Sequence, residues 1–372
     1  MVNRSEPRPD RERFCPALPI GRSSEEKTSR RGLFIRAITI KLISMPREVI
    51  TFGEAMIRLS PPNFRRLEQA RSLDVLVGGA ELNTAACLSR LGRSCTWVSR
   101  LTQNPLGRLI ANHAQEIGVG TEHIVWTDDD RVGLYFLEFG AAPRASSVLY
   151  DRKGSAIAQI RPGMMDWPAV FLGARWFHVT GITPALSATC AESTREALQA
   201  ARAARVQVSI DLNYRAKLWS QADARRWMTE LMQFCDVLIT TEEDAERVFG
   251  ITGSSFEDVA RQLLPRFPLQ VVAITVRENP LVWKNTWTAI ACRGKEIFRT
   301  KSYEVEIVDR LGAGDSFAAG LIDGLLDADL QRGLDYGVAV SALKHSIPGD
   351  FAWVTRAEVE AILKGGGLRI SR

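Results

Sequence analysis

Between residues 175 and 276 the chain alternates short apolar runs with amphipathic stretches, and that rhythm leaves few folds open. RWFHVTGI, VQVSIDL, DVLITT and LQVVAITV are runs of strand length, rich in Val, Ile and Thr. SATCAESTREALQAARAA, SQADARRWMTELMQFC and EEDAERVFG lie between them with apolar residues at helical spacing. Strands that are apolar throughout must be covered on both faces, and helical crossovers of roughly 10–15 residues do the covering. The pattern predicts an α/β fold with a mostly parallel central sheet flanked by helices.

The flanking segments extend the scheme. VITFGEAMIRL reads as a strand broken by Gly53, and the stretch after it as irregular or edge-strand material. GGAELNTAACLSRLG reads as a helix with Leu82, Ala85, Ala86, Leu88 and Leu91 on its apolar side, stopped at Gly92. SCTWVSRL and TEHIVW read as strands, with PLGRLIANHAQEIG a helix between them. VGLYFLEFG and SSVLYDR alternate apolar and polar residues around a Pro-containing loop, which predicts a half-exposed hairpin. Three helical stretches, roughly 315–327, 330–345 and 355–364, close the chain, and no internal repeat is visible.

Charge removes some function classes. Residues 1–44 carry 10 basic and 5 acidic side chains, which accounts for the whole formal net charge of +5. The rest is balanced and has no basic excess to follow a nucleic-acid backbone. Small molecules are the expected partners. The N-terminal segment is polar, Pro-containing and aperiodic, so 1–44 reads as a disordered basic extension before a domain at 45–372. No stretch reaches the roughly 18 apolar residues of a membrane span. The six cysteines are scattered without a C-x-x-C pair, which points to the reducing cytoplasm.

Chemistry concentrates in IVDRLGAGDSFAAGLIDGLL, where Asp315 follows Gly312, Ala313 and Gly314 at the start of an apolar helix. A dinucleotide fingerprint needs a further glycine or alanine two residues after the second, but Ala318 comes one place too late. A Walker motif is absent. What remains is a helix N-terminus whose open amides and dipole suit an anion, above all a phosphoryl group. A carboxylate there repels an anion, so on binding grounds it is a poor choice. It makes sense if Asp315 takes a proton from an attacking hydroxyl while the amides stabilise phosphoryl charge. The plainer reading is a glycine turn with Asp315 favoured at a helix start.

VDRLGAGDSFAAGLI resembles the C-terminal signature of the ribokinase-like, or PfkB, carbohydrate kinases. GGAELNTAACLSRLG (78–92) resembles their first signature, and NPLGRLIANHAQEIGV the segment that follows it. The motifs come in the family's order, and the likeness spans roughly 48–364. GEAMIRLSPP, YDRKGSAIA, DLNYRAKLW and IPGDF look most like 2-keto-3-deoxygluconate kinases.

The resemblance implies a Rossmann-like ribokinase fold with a small β-sheet lid, built from about 57–77 and 133–152, that often joins two subunits. It implies ATP and Mg²⁺ as cofactors, with a monovalent cation possible. Asp315 matches the family's general base, and Gly312, Ala313 and Gly314 its anion hole. Gly78, Gly79 and Asn83 match sugar-contacting positions. Tyr135 and Arg215 match substrate-binding positions, and Arg152 is a further candidate beside the sugar. An arginine fork at Arg215 suits a sugar-acid carboxylate.

Two positions depart from the pattern. Leu137 stands where some of these kinases carry an arginine, which puts one carboxylate contact in doubt. Thr241-Glu242-Glu243-Asp244 replaces the family's N-x-x-E segment, and Asp244 keeps an oxygen able to hold Mg²⁺ through water. Thr275 and Arg277 are the expected phosphate contacts, in place of a Gly-containing turn. Gly349, in the turn after helix 330–345, is expected at the adenine. Lys344 and His345 read equally well as simple helix C-terminal charges, and the histidines have no zinc spacing. The resemblance implies phosphorylation of a primary hydroxyl of a small sugar acid, 2-keto-3-deoxygluconate foremost. A ribokinase- or fructokinase-like enzyme acting on a neutral sugar is the alternative, as is a catalytically silent binding relative.

Overall fold

The computed structural model describes residues 47–281 and 283–365, so the extension expected at 1–44 lies outside the described residues. In chain order the strands are β1 (Val49–Phe52), β2 (Met56–Ser60), β3 (Asp74–Gly78), β4 (Cys95–Thr102), β5 (Ile124–Thr127), β6 (Leu134–Glu138) and β7 (Ser147–Asp151). They continue with β8 (Trp176–Thr180), β9 (Gln207–Asp211), β10 (Val237–Thr240), β11 (Val271–Leu281), β12 (Lys284–Arg293), β13 (Glu296–Arg299) and β14 (Tyr303–Glu306). The longer helices are α1 (Ala80–Arg90), α2 (Pro105–Glu116), α3 (Ala188–Ala203), α4 (Gln221–Leu231) and α5 (Glu242–Phe249). After them come α6 (Phe256–Leu263), α7 (Ala313–Leu326), α8 (Leu330–His345) and α9 (Arg356–Leu363).

The central sheet runs β13-β12-β11-β10-β9-β8-β1-β4-β5, with β14 also paired to β12. Its pairs from β11 through to β5 are parallel, and β12 turns the remaining edge antiparallel. Alternate residues feed two cores. Trp97, Trp176 and Ile239 pack with α1, α7 and α8 on one side, and Phe177, Val208 and Leu238 with α3, α4 and α6 on the other. This is the doubly covered sheet that the apolar rhythm requires.

A separate four-stranded sheet, ordered β3-β2-β6-β7, forms the lid. Here the single broken strand read from VITFGEAMIRL becomes two strands in two different sheets. Gly53, Glu54 and Ala55 carry the chain from β1 to β2. One lid row sets Arg58 beside Leu76 and Tyr135, with Tyr150 next; the opposite row holds Leu59, Val75, Phe136 and Leu149. The second structural difference is β11. No turn interrupts 275–279; the strand continues and pairs with β12, Thr275 opposite Ala289 and Arg277 opposite Trp287.

Helices α7 and α8 pack backbone against backbone. A Cβ on Gly324 would lie 2.2 Å from the Gly333 Cα, and one on Gly320 2.5 Å from the Gly337 nitrogen. This close seam fixes the direction in which the N-terminus of α7 points. Among the described residues no helix is long and apolar enough to cross a membrane.

Candidate active site

Helix α7 begins at Gly312, whose φ of +80° is a left-handed value that a side chain opposes. A Cβ there would also fall 2.0 Å from the Asp350 carbonyl oxygen, so glycine is required twice over. The first helical hydrogen bond is donated by the Ser316 N–H to the Gly312 carbonyl at 2.9 Å. The amides of Gly314 and Asp315 therefore precede the ladder and stay open, as at any helix start. Ser341 Oγ donates to the Ala313 carbonyl at 2.8 Å and Thr84 Oγ1 to the Asp315 carbonyl at 3.2 Å, which pins the first turn to α8 and α1.

Asp315 accepts a hydrogen bond from Asn83 Nδ2 at 2.7 Å. Asn83 is itself held, because its Oδ1 accepts the Gly79 N–H at 3.2 Å. Burial pushes the Asp315 carboxyl up to about 6, while the Asn83 hydrogen bond and the Arg215 charge pull the other way. Such a group is ionised at neutral pH and more basic than an ordinary aspartate.

Asp315 faces a cavity of about 380 Å³ shared with Gly312, Ala313, Gly314, Arg215, Thr241, Asp244, Thr275 and Arg277. Nine residues singled out from the sequence thus meet around one space. It lies at the carboxyl ends of β9, β10 and the parallel part of β11, where open α/β sheets bind ligands. Some of its wall was not anticipated. Asp211 ends β9, and burial together with Asp244 and Asp315 pushes its carboxyl up to about 8. Arg310 and Arg247 add positive charge, and the Arg310 guanidinium is lowered by burial and by Arg277. A carboxylate closing a strand whose interior is buried was the available signal for Asp211.

Thr241 turns out to be the N-cap of α5, its Oγ1 accepting the Asp244 N–H at 3.1 Å. Asp244 Oδ2 accepts the Tyr214 N–H at 3.4 Å, and burial raises its carboxyl above the ordinary range. Among the described residues no three His, Cys, Asp or Glu side chains converge to hold a metal directly. Asp211 and Asp244, two neighbouring carboxylates that are costly to ionise together, fit a hydrated divalent cation held through water. The facing arginines fit a polyphosphate.

The residues expected on the sugar and adenine sides lie outside the cavity wall. Gly78 backs onto the Asp350 carboxyl, which a Cβ would approach to 2.4 Å. Tyr135 is buried and donates to Asp350 Oδ2 at 2.5 Å. Arg152 pairs with buried Glu54, its Nε donating at 2.8 Å. Gly349 donates its N–H to Asp309 Oδ2 at 3.0 Å. Lys344 is no solvated helix-end charge: it is fully buried and its Nζ donates to the carbonyls of Asp309 at 3.2 Å and Ile347 at 3.0 Å. His345, by contrast, does line the cavity and is buried, its Nδ1 2.7 Å from the Ser341 carbonyl.

Comparison with known proteins agrees with this arrangement. The sequence profile of the pfkB family carbohydrate kinase matches residues 46–350. A 2-dehydro-3-deoxygalactonokinase of Haloferax volcanii is 40% identical over 329 residues, spanning 88% of this chain and 100% of that protein. A 2-dehydro-3-deoxygluconokinase of Bacillus subtilis is 28% identical over 82% of this chain and 92% of its own length. The crystal structure of the 2-dehydro-3-deoxygluconokinase from Thermotoga maritima superposes with a TM-score of 0.83 at 42% identity, covering 86% of this chain and 98% of that one. With an α/β body, a four-stranded lid and a matched profile across most of its length, the chain belongs to the pfkB family of carbohydrate kinases, phosphotransferases with an alcohol group as acceptor.

Proposed function

We propose that the protein transfers the γ-phosphoryl group of ATP to a primary hydroxyl of a small sugar acid, 2-keto-3-deoxygluconate or its C4 epimer 2-keto-3-deoxygalactonate. The observation that carries the reading is Asp315 beside the open amides of α7, in one cavity with Arg215. The relatives named for these two sugar acids support the substrate class. They also widen the sequence-based expectation, which favoured the gluconate epimer.

In this reading the substrate hydroxyl loses its proton to the Asp315 carboxylate, which Asn83 orients. The hydroxyl oxygen forms a bond to the γ-phosphorus as the bond to the β,γ-bridging oxygen breaks, and ADP leaves. The Gly314 and Asp315 amides, with Ala313 shaping the turn, stabilise the equatorial phosphoryl oxygens. Arg277 and Arg310 face the polyphosphate, with Thr275 beside them on the cavity wall. Arg215 pairs with the substrate carboxylate. Asp244, with Asp211 nearby, would hold a hydrated Mg²⁺, which would supply neutralisation of phosphate charge. Gly78, Gly79, Tyr135 and Arg152 shape the sugar side beneath the lid. The reaction belongs to the reducing cytoplasm, where the five described cysteines, all buried, remain thiols. A second copy pairs on the outer lid row, where Val75 is 48% and Leu149 60% exposed.

The test is ADP release with ATP and Mg²⁺, with and without K⁺, against both sugar acids, ribose, fructose and a blank. Turnover is expected on one or both acids, and Asp315→Asn is expected to lower kcat by about 10²–10⁴. A fully active Asp315→Asn enzyme would remove the mechanism. Turnover confined to ribose or fructose would remove the substrate class and return the neutral-sugar alternative.

A further inference from the structure

Arg58 belongs to the lid, yet its guanidinium is aimed away from solvent and is only 1% exposed. Nη1 lies 2.7 Å from Asp309 Oδ2 and 2.9 Å from Asp350 Oδ1, and Nε donates to Ser60 Oγ at 3.1 Å. A single lid arginine thus joins two buried carboxylates that are far away in sequence, and both belong to the frame of the anion hole. Asp309 Oδ1 accepts the Leu311 N–H at 3.1 Å, which shapes the approach to Gly312. Its Oδ2 also accepts the Gly349 N–H, and its carbonyl the Lys344 ammonium. Asp350 presses its carbonyl on the Gly312 α-carbon and its carboxyl on Gly78 of β3. Tyr135 of β6 holds the second Asp350 oxygen. Three lid strands therefore reach the loops 309–312 and 349–350 through two carboxylates, and the Arg58 guanidinium bridges both.

We propose that Arg58 is a positioning residue that couples the seating of the lid to the geometry of the Gly312–Asp315 turn. The inference rests on the reading of that turn as the phosphoryl-transfer site. The physical reason is the cost of partial disconnection. Arg58 and Lys344 together balance Asp309 and Asp350 in a buried setting. Withdrawing β2 would leave two carboxylates desolvated against one ammonium, a state strongly disfavoured compared with the intact cluster. The loops consequently have one favoured arrangement with the lid seated and another when it is displaced. A turn aligned only under a seated lid limits phosphoryl transfer to water.

Arg58→Met, Arg58→Lys and the double variant Arg58→Met/Asp350→Asn test this, each by Tm, kcat and KM for ATP. Arg58→Met is expected to lower kcat about 100-fold, the size of loss that an ångström-scale misplacement causes. KM for ATP should stay within about threefold, because Arg58 touches no part of the 380 Å³ cavity. Arg58→Lys should recover part of kcat. The double variant removes one positive and one negative charge, so it should recover most of the lost Tm while kcat stays low. Recovery of kcat in step with Tm would overturn the proposal and leave Arg58 a stabilising ion pair. An Arg58→Met enzyme that keeps wild-type kcat would also overturn it. If Arg58→Met does not fold, the double and lysine variants carry the same comparison. Asp315→Asn run in parallel separates the two readings: its inactivity beside unimpaired Arg58 variants rejects the coupling alone, and its full activity rejects the site itself.

Discussion

The surroundings of Asp315 make its carboxylate both more basic and costlier to keep ionised. Its carboxyl is pushed up to about 6 mainly by burial. The base proposed above must be ionised to act, so kcat should be level above about pH 6 and fall roughly tenfold per unit below it. A pH–rate profile from pH 5 to 8 checks this; a flat profile down to pH 5 would contradict it. The stability sign is the reverse. The folded carboxyl binds its proton more tightly than the unfolded one does, so its contribution is full below the ordinary aspartate value near 3.9. That contribution is lost as the pH rises through about 6. Asp315→Asn should therefore raise Tm at pH 8 relative to wild type while removing turnover, and the gain should vanish near pH 4. The helix start at Asp315 and its glycines was legible in the sequence: a carboxylate is structurally favoured there and is a poor choice only beside a bound anion, which is why it stood out as a candidate base. Tyr135 and Gly349 were legible as positions of interest, but their contacts were not. Each makes its hydrogen bond to a carboxylate distant in the sequence, Tyr135 to Asp350 and Gly349 to Asp309.

At the scale of the element, α7 separates two glycines that look alike in the sequence. Gly312 has a left-handed backbone and no room for a Cβ, whereas a Cβ on Gly314 meets nothing within 4 Å. Gly312→Ala should therefore lower both Tm and kcat. Gly314→Ala should leave Tm within about a degree, since Ala favours a helix. Its methyl group enters the cavity beside the open amides, so kcat should still fall, by about tenfold or more. Thermal unfolding with steady-state kinetics distinguishes the two; a Gly314→Ala enzyme with unchanged kcat would show that the amide face is not used. Element types were readable because their periodicities differ, and α8 and α9 lie close to the predicted stretches. The fate of VITFGEAMIRL was not readable. An apolar strand is equally suited to either sheet, so periodicity did not divide it; the family resemblance put about 57–77 in the lid, and the linker Gly53–Ala55 with the partners of β2 shows where the chain changes sheet. The continuation of β11 past Val276 was missed for a similar reason: its antiparallel partner β12 is chosen by pairing, not by composition.

At the scale of the whole molecule, Asp323 on α7 ties distant parts of the chain together. It is fully buried and accepts from Arg93 Nε at 2.7 Å and from Arg356 Nη2 at 2.7 Å, with Arg332 Nη2 at 3.5 Å. Asp323→Asn should cost about 3 kcal/mol, the low end for breaking a buried ion pair, because the arginines keep some contact with water. Denaturant unfolding measures the cost, and kcat of the folded enzyme should be unchanged because Asp323 lies outside the cavity. A loss below about 0.5 kcal/mol would show the cluster to be no more than a surface pair. By itself the sequence determined the covered parallel sheet, the helices, the lid hairpin, and the glycines with their carboxylate. Each of these is written in local periodicity or in backbone demands that neighbouring residues state. Only the tertiary structure decided which charges meet: Arg58 with Asp309 and Asp350, Asp211 with Asp244 and Asp315, and Asp323 with its arginines. The cost of burying a charge depends on the partner it finds, and partners hundreds of residues apart leave no trace in local spacing.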